Sequence, residues 1–202
     1  MEYVASMVKT DKSLIDAHIK GDTTAFGELV RRHGDSVLGY LTRMTGSKEY
    51  AEDLFQETFK RVHEKADTFR GPRLKSWLFA IATNVAIDGV RKSRRLQVVL
   101  INRKMDCNDG NCEELSAVDV ADNSYEPSQK AIMAEQKEQV RRALELLPAR
   151  QRATLVLAYY QQLTYPEVAQ VLGCSVGTVK TQMYRALKSL AQSLPDISGV
   201  AK

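Results

Sequence analysis

The chain has 202 residues, 44% hydrophobic and 27% charged, enough to bury the cores of two small domains and stay soluble. No apolar run approaches the roughly 20 residues that span a bilayer, and the first residues lack the apolar core and cleavage site of a signal peptide, so a cytoplasmic protein without membrane insertion is expected. The net charge of +4 hides three blocks: residues 1–104 sum to +6, residues 105–129 to −7 and residues 130–202 to +5. Two basic blocks joined by an acidic strip suggest two modules facing one polyanion.

Leu14, Ile15 and Ile19 predict a short helix over 13–20, broken at Gly21-Asp22. A longer helix is predicted from Thr24 to Met44, with Phe26, Leu29, Val30, Val37, Leu38 and Leu41 as its apolar set. Gly46 is placed to end it and Ser47 to cap the next. The third helix, Lys48 to Ala66, turns Ala51, Leu54, Phe55, Thr58 and Val62 inward and leaves Asp53, Gln56, Glu57 and Lys60 for a partner. Phe59 fits either side.

Gly71-Pro72 is a turn, and a fourth helix follows. Leu74, Trp77, Leu78, Ile81, Ala82 and Val85 form its packed stripe; Asn84, Asp88, Arg91 and Arg95 form its polar front. It closes on Arg91, Lys92, Arg94 and Arg95, cations that suit both a helix C-terminus and a phosphate backbone. Residues 13–95 thus read as one all-helical domain.

Residues 105–126 lack positive charge and large apolar clusters and read as a flexible acidic linker. Cys107, Cys112 and Cys174 make no disulfide framework, and the histidines lie too far off to complete a metal set. The neighbouring DCNDGN lacks the closing glutamate of a calcium loop.

Residues 127–194 form the second domain. Pro127 can open a helix carrying Ile132, Val140, Ala143, Leu144 and Leu147 to the break at Pro148. Another helix is predicted over 150–161 with Leu155, Val156 and Tyr159 inward. Thr164 and Glu167 make a capping-box pattern, Gly173 a sharp turn and Ser175 a second cap. Val179, Met183, Leu187 and Leu190 are expected to face in, completing a helix-turn-helix. Ser175, Thr178, Thr181, Gln182 and Arg185 then line the exposed face, the short hydroxyls, amide and arginine that a groove reader needs.

With both ends read, the chain resembles an extracytoplasmic-function (ECF) sigma factor of the sigma-70 family. Asp53, Gln56, Glu57 and Phe59 look like the segment that docks on the RNA polymerase β′ clamp helices. Trp77-Leu78, Ile81-Ala82, Asn84, Asp88 and Arg91 match the promoter −10 segment, and Leu147-Pro148 with Val176-Gly177-Thr178-Val179-Lys180 resembles the −35 reader. There is no room for the extra middle domain of housekeeping sigma factors.

The resemblance implies a non-catalytic subunit that binds core RNA polymerase, including its β flap, and directs initiation on promoter DNA; an anti-sigma factor is a further implied partner. Arg70, Lys75, Asn84, Asp88, Arg91, Lys92 and Arg95 would serve the −10 element. Ser175, Thr178, Lys180, Thr181, Gln182 and Arg185 would serve the −35 element. No phosphate loop, nucleophile constellation or metal set is present in the sequence, so no catalytic residue, metal or cofactor is expected. Thr181-Gln182 stands where the family often has Ser-Arg, and Pro72 and Thr83 also depart from common types, so base preference does not carry over. The competing readings are a sigma-like decoy for an anti-sigma factor, and a helix-turn-helix regulator acting without polymerase.

Overall fold

Short polar side chains set where the helices begin. Thr10 accepts from the Ser13 amide to open α1 (Asp11–Ile19), and Asp22 accepts from the Thr24 and Ala25 amides to open α2 (Thr23–Thr45). Gly46 ends α2, and Ser47 caps α3 (Lys48–Glu64) through the Tyr50 amide. A 3₁₀ turn (Ala66–Thr68) leads to α4 (Leu74–Met105). In this computed structural model residues 9–71, 73–105 and 127–194 are described, without the side chains of 94, 96–105 and 127–133.

Helices α2 to α4 pack around Val37, Tyr40, Leu41, Met44, Leu54, Phe79, Ala82 and Ala86. A side-chain pair is hydrogen-bonded inside this core: Tyr40 Oη and Thr83 Oγ1 are 2.8 Å apart, both groups sealed from water. Burial of the phenol pushes its pKa up, so Tyr40 stays neutral. Helices α3 and α4 meet at Gly89, where an added Cβ would lie 2.9 Å from Tyr50 Oη and 3.1 Å from a Leu54 methyl. That contact is closed to any larger residue without repacking. A smaller cluster of Leu14, Ile15, Ala25, Leu29, Phe69 and Leu74 ties α1 to the start of α4.

After residue 126, α5 (Pro127–Leu146) leads into α6 (Ala149–Leu155), which continues as a π-helical turn (Val156–Tyr160). Helices α7 (Tyr165–Leu172) and α8 (Val176–Ser193) form the helix-turn-helix. Its turn is Gly173 at φ 60°, a left-handed value that glycine adopts without penalty. Thr164 and Glu167 complete the capping box at α7. Among the described residues every regular element is helical, as expected.

The helices on either side of residues 106–126 share one core. Ala153, Val156, Leu157, Leu163, Val168 and Ala169 belong to the same buried cluster as Val37, Leu78 and Val85. Helix α7 packs on α4, while α5 and the π turn pack on α2.

Several expectations need correction. Helix α4 runs on to Met105, past the boundary at 95, so Met105 is helical; the linker reading for 106–126 lies outside the described residues. Phe59 is buried, at 7% exposure, because α3 turns it against Phe55 and Phe26. Ile19, Tyr159 and Leu187 are exposed rather than inward. Ala186, not Leu187, continues the buried stripe of α8, and the π turn rotates Tyr159 outward.

Candidate nucleic-acid interface

Three polar faces emerge from this packing. On α3, burial of Ala51, Leu54, Thr58 and Val62 leaves Asp53, Gln56 and Lys60 exposed on the far side. Glu57 is partly exposed and holds Arg61 at 2.7 Å. Phe59 lies beneath this face and supports it, with no surface to offer a partner.

On α4, Val85, Ala86, Ile87 and Val90 are buried while Asn84, Asp88, Arg91 and Arg95 stand exposed at spacings of four, three and four. These side chains share one stripe of the helix. Lys92 is exposed beside them. The Asp88 and Arg91 groups approach only to 4.0 Å, both open to water, a pair too loose to lock either one. The stripe combines an amide, which can donate and accept, with guanidinium groups that seek anions. Arg70 is exposed but directs its guanidinium at the Asp67 and Phe69 carbonyls. Lys75 is set apart from the stripe: its Nζ donates to the Gln161 carbonyl at 2.6 Å, against the other unit.

On α8, Val179, Met183 and Ala186 face in, and Lys180, Thr181, Tyr184 and Arg185 face out. Ser175 accepts from the Thr178 amide at 3.1 Å and lies 2.9 Å from the Thr178 hydroxyl, so it serves as the cap. The Thr181 hydroxyl donates back to the Gly177 carbonyl at 3.0 Å, which leaves its methyl and a free lone pair outward. Gln182 is drawn aside: its amide oxygen accepts from the buried Thr154 hydroxyl at 2.6 Å. It flanks the exposed face rather than heading it. Tyr184, 68% exposed, was not among the expected readers. The signal was available, since residue 184 follows Thr181 by three and Lys180 by four on the outer side.

The carboxylate of Glu167 is held below its usual range, first by the Thr164 hydroxyl and amide and then by nearby Arg73 and Lys75. Arg73 reaches it at 3.4 Å. The start of α4 and the start of α7 are therefore joined by charge as well as packing. Among the described residues no cluster of His, Cys, Asp and Glu could hold a metal ion, and no helix is long and apolar enough to cross a membrane.

Comparison with known proteins finds the family description "Sigma-70 region 2" over residues 29–96 and "Sigma-70, region 4" over residues 137–190. The ECF RNA polymerase sigma factor SigW of Bacillus subtilis (strain 168) is 31% identical over 181 residues, covering 88% of this chain and 93% of that protein. In structure, the chain is similar to CnrH in complex with the cytosolic domain of CnrY. The TM-score is 0.62 with 24% identity, over 91% of this chain and 96% of that one, a likeness of fold. It is also similar to the sigma factor RpoE in complex with the anti-sigma factor NepR from Bartonella quintana. There the TM-score is 0.56 with 25% identity, over 83% of this chain and 95% of that one.

Proposed function

The chain belongs to the ECF sigma factors of the sigma-70 family, and from that premise we propose that it is a promoter-specificity subunit of RNA polymerase. It binds core polymerase and contributes no catalytic group of its own. The observation that carries the reading is the pair of outward stripes, Asn84-Asp88-Arg91-Arg95 inside the region 2 match and Lys180-Thr181-Tyr184-Arg185 inside the region 4 match.

The roles divide by chemistry. The α8 stripe enters the major groove of duplex −35 DNA, with Arg185 reaching base edges, Tyr184 and the Thr181 methyl packing on thymine methyls, and Lys180 on phosphate. The α4 stripe takes the −10 strand after melting. Asn84 matches a base edge that is free only when the pair is broken, and Arg91, Lys92 and Arg95 position phosphates without reading sequence. Asp53, Gln56 and Glu57 on α3 contact the β′ clamp helices, and the second unit contacts the β flap. An anti-sigma factor is a natural further partner, since the RpoE neighbour was solved with one. Exposed −10 and −35 faces favour this reading over a decoy, which needs neither.

Selection from a template library randomised upstream of a transcribed barcode tests the reading. With core polymerase and this chain, transcripts should enrich two conserved blocks at fixed spacing. A single enriched block, or none, would overturn the assignment of two reading faces.

A further inference from the structure

We propose that Thr154 is a positioning residue for base readout. It fixes the Gln182 amide so that a donor edge faces the major groove, and this chain therefore takes a G·C pair at one −35 position. The inference rests on the sigma reading of α8 and deepens it, from an exposed face to the class of base that one side chain selects.

The pair sits where α6 packs on α8. Thr154 is fully buried. Its hydroxyl lies 2.6 Å from Gln182 Oε1 and 2.9 Å from the Arg150 carbonyl. A hydroxyl carries one proton. The Arg150 carbonyl is the ordinary helical acceptor for the Thr154 backbone amide four residues on, so it is served without the hydroxyl. The Gln182 oxygen has no other donor among the described residues. The length of the contact agrees with this direction. O–H···O bonds run about 2.5–3.0 Å and N–H···O bonds about 2.7–3.2 Å, so 2.6 Å suits a donating hydroxyl better than a donating amide.

An amide is planar, with oxygen and nitrogen on opposite arms. Holding Oε1 toward Thr154 turns Nε2 away. Nε2 has no partner among the described residues and is open to water. Gln182 follows Thr178 by four and precedes Arg185 by three, both exposed, so its outward edge lies at the margin of their face. A glutamine free to turn offers a donor and an acceptor, the pair that adenine N7 and N6 require. A glutamine whose oxygen is engaged leads with two N–H groups. It then fits guanine, which shows two acceptors, N7 and O6. The buried hydroxyl on α6 decides between these two, without touching DNA itself.

The test is selection of −35 sequences with the full chain on core polymerase, after each variant is checked for helicity and core binding. Gln182→Ala should relax preference at one position, which locates its base pair. There the wild type should favour G·C over A·T by about tenfold, within the range of one base contact. Thr154→Ser keeps the hydroxyl and should keep that preference. Thr154→Val keeps the shape without the donor, and should let A·T equal or exceed G·C at that position alone. Gln182→Glu serves if Thr154→Val loses helicity. A carboxylate only accepts, so the favoured pair should reverse to C·G, which offers the cytosine amino group.

Any favoured pair other than G·C in the wild type, A·T above all, overturns the donor assignment, and so does Gln182→Glu if it retains G·C. A Thr154→Val profile identical to wild type overturns the positioning role, as does an equal loss at every position, the mark of a merely structural threonine. Thr154→Ser behaving like Thr154→Val also overturns it. If Gln182→Ala relaxes no position while the upstream block is still selected, the base contact falls and the sigma reading stands. If the wild type selects no upstream block at all, it is the sigma reading that falls.

Discussion

Replacing Phe59 and Gln56, three residues apart on α3, separates a core residue from a contact residue. A phenylalanine side chain carries about 150–250 Å², and Phe59 retains 7% exposure. Removing nearly all of that area from water at about 25 cal/mol/Å² gives a ceiling of roughly 3.5–6 kcal/mol. The ring also meets Phe55 at 4.7 Å and Phe26 at 6.3 Å between centroids. Alanine keeps one carbon and leaves a cavity, so Phe59→Ala should cost about 3–5 kcal/mol, in the range of buried aromatic truncations. The Gln56 side chain is exposed and makes no side-chain hydrogen bond to the described residues; Gln56→Ala should change stability by less than about 0.5 kcal/mol. Urea unfolding followed by circular dichroism measures both. Fluorescence titration with core polymerase should then show weakened binding for Gln56→Ala at full helicity. If Phe59→Ala costs under about 1 kcal/mol and still abolishes core binding, Phe59 is a contact residue and the packing argument is wrong.

Four further outcomes follow from the same geometry. Tyr40→Phe and Thr83→Val should each cost about 1–3 kcal/mol by orphaning a buried hydroxyl. The double variant should cost clearly less than their sum, and additivity in a double-mutant cycle would refute the shared bond. Tyr184→Ala should weaken −35 duplex binding by about 1–3 kcal/mol with relaxed preference at one position, while Lys180→Ala should lower the salt slope by about 0.9 without changing preference. Asn84→Ala should reduce permanganate reactivity of unpaired thymines more than closed-complex binding; equal loss would make Asn84 structural. Burial, then the neighbouring His63, lowers the His18 pKa below 6.5. The folded state therefore prefers neutral His18, whose contribution is complete above pH 6.5 and is lost as pH falls below it. His18→Gln should flatten that part of the stability–pH curve.

Local chemistry made much of the fold legible in the sequence. Ser47, Ser175 and the Thr164–Glu167 box cap the helices where expected, because a cap involves only neighbours in sequence. The α4 stripe was legible for the same reason. Phase errors accumulate elsewhere. Steps of four and four from Val179 to Leu187 drift about 80° around a helix at 100° per residue, whereas four and three to Ala186 return within about 20°. That drift is why Leu187 is exposed. Tyr159 was misplaced because the π turn inserts a wider loop, with the Gln161 amide bonding five residues back to Val156. Helix α4 outran its basic tip because a cluster of cations suits a C-terminus without requiring one. The contact between the two units left no periodic trace. Gln161, Arg152 and Lys75 reach across 86 to 125 residues of sequence, and only the folded chain brings them together.

Run-off transcription with purified core polymerase, on the promoter that selection recovers, tests the central claim most directly. Core alone should give no specific product, and adding this chain should give a product of defined length. Changing Asn84 and Arg185 together to alanine should remove that product while core binding persists. A specific product from the doubly changed chain, or none from wild type bound to core, would contradict the account.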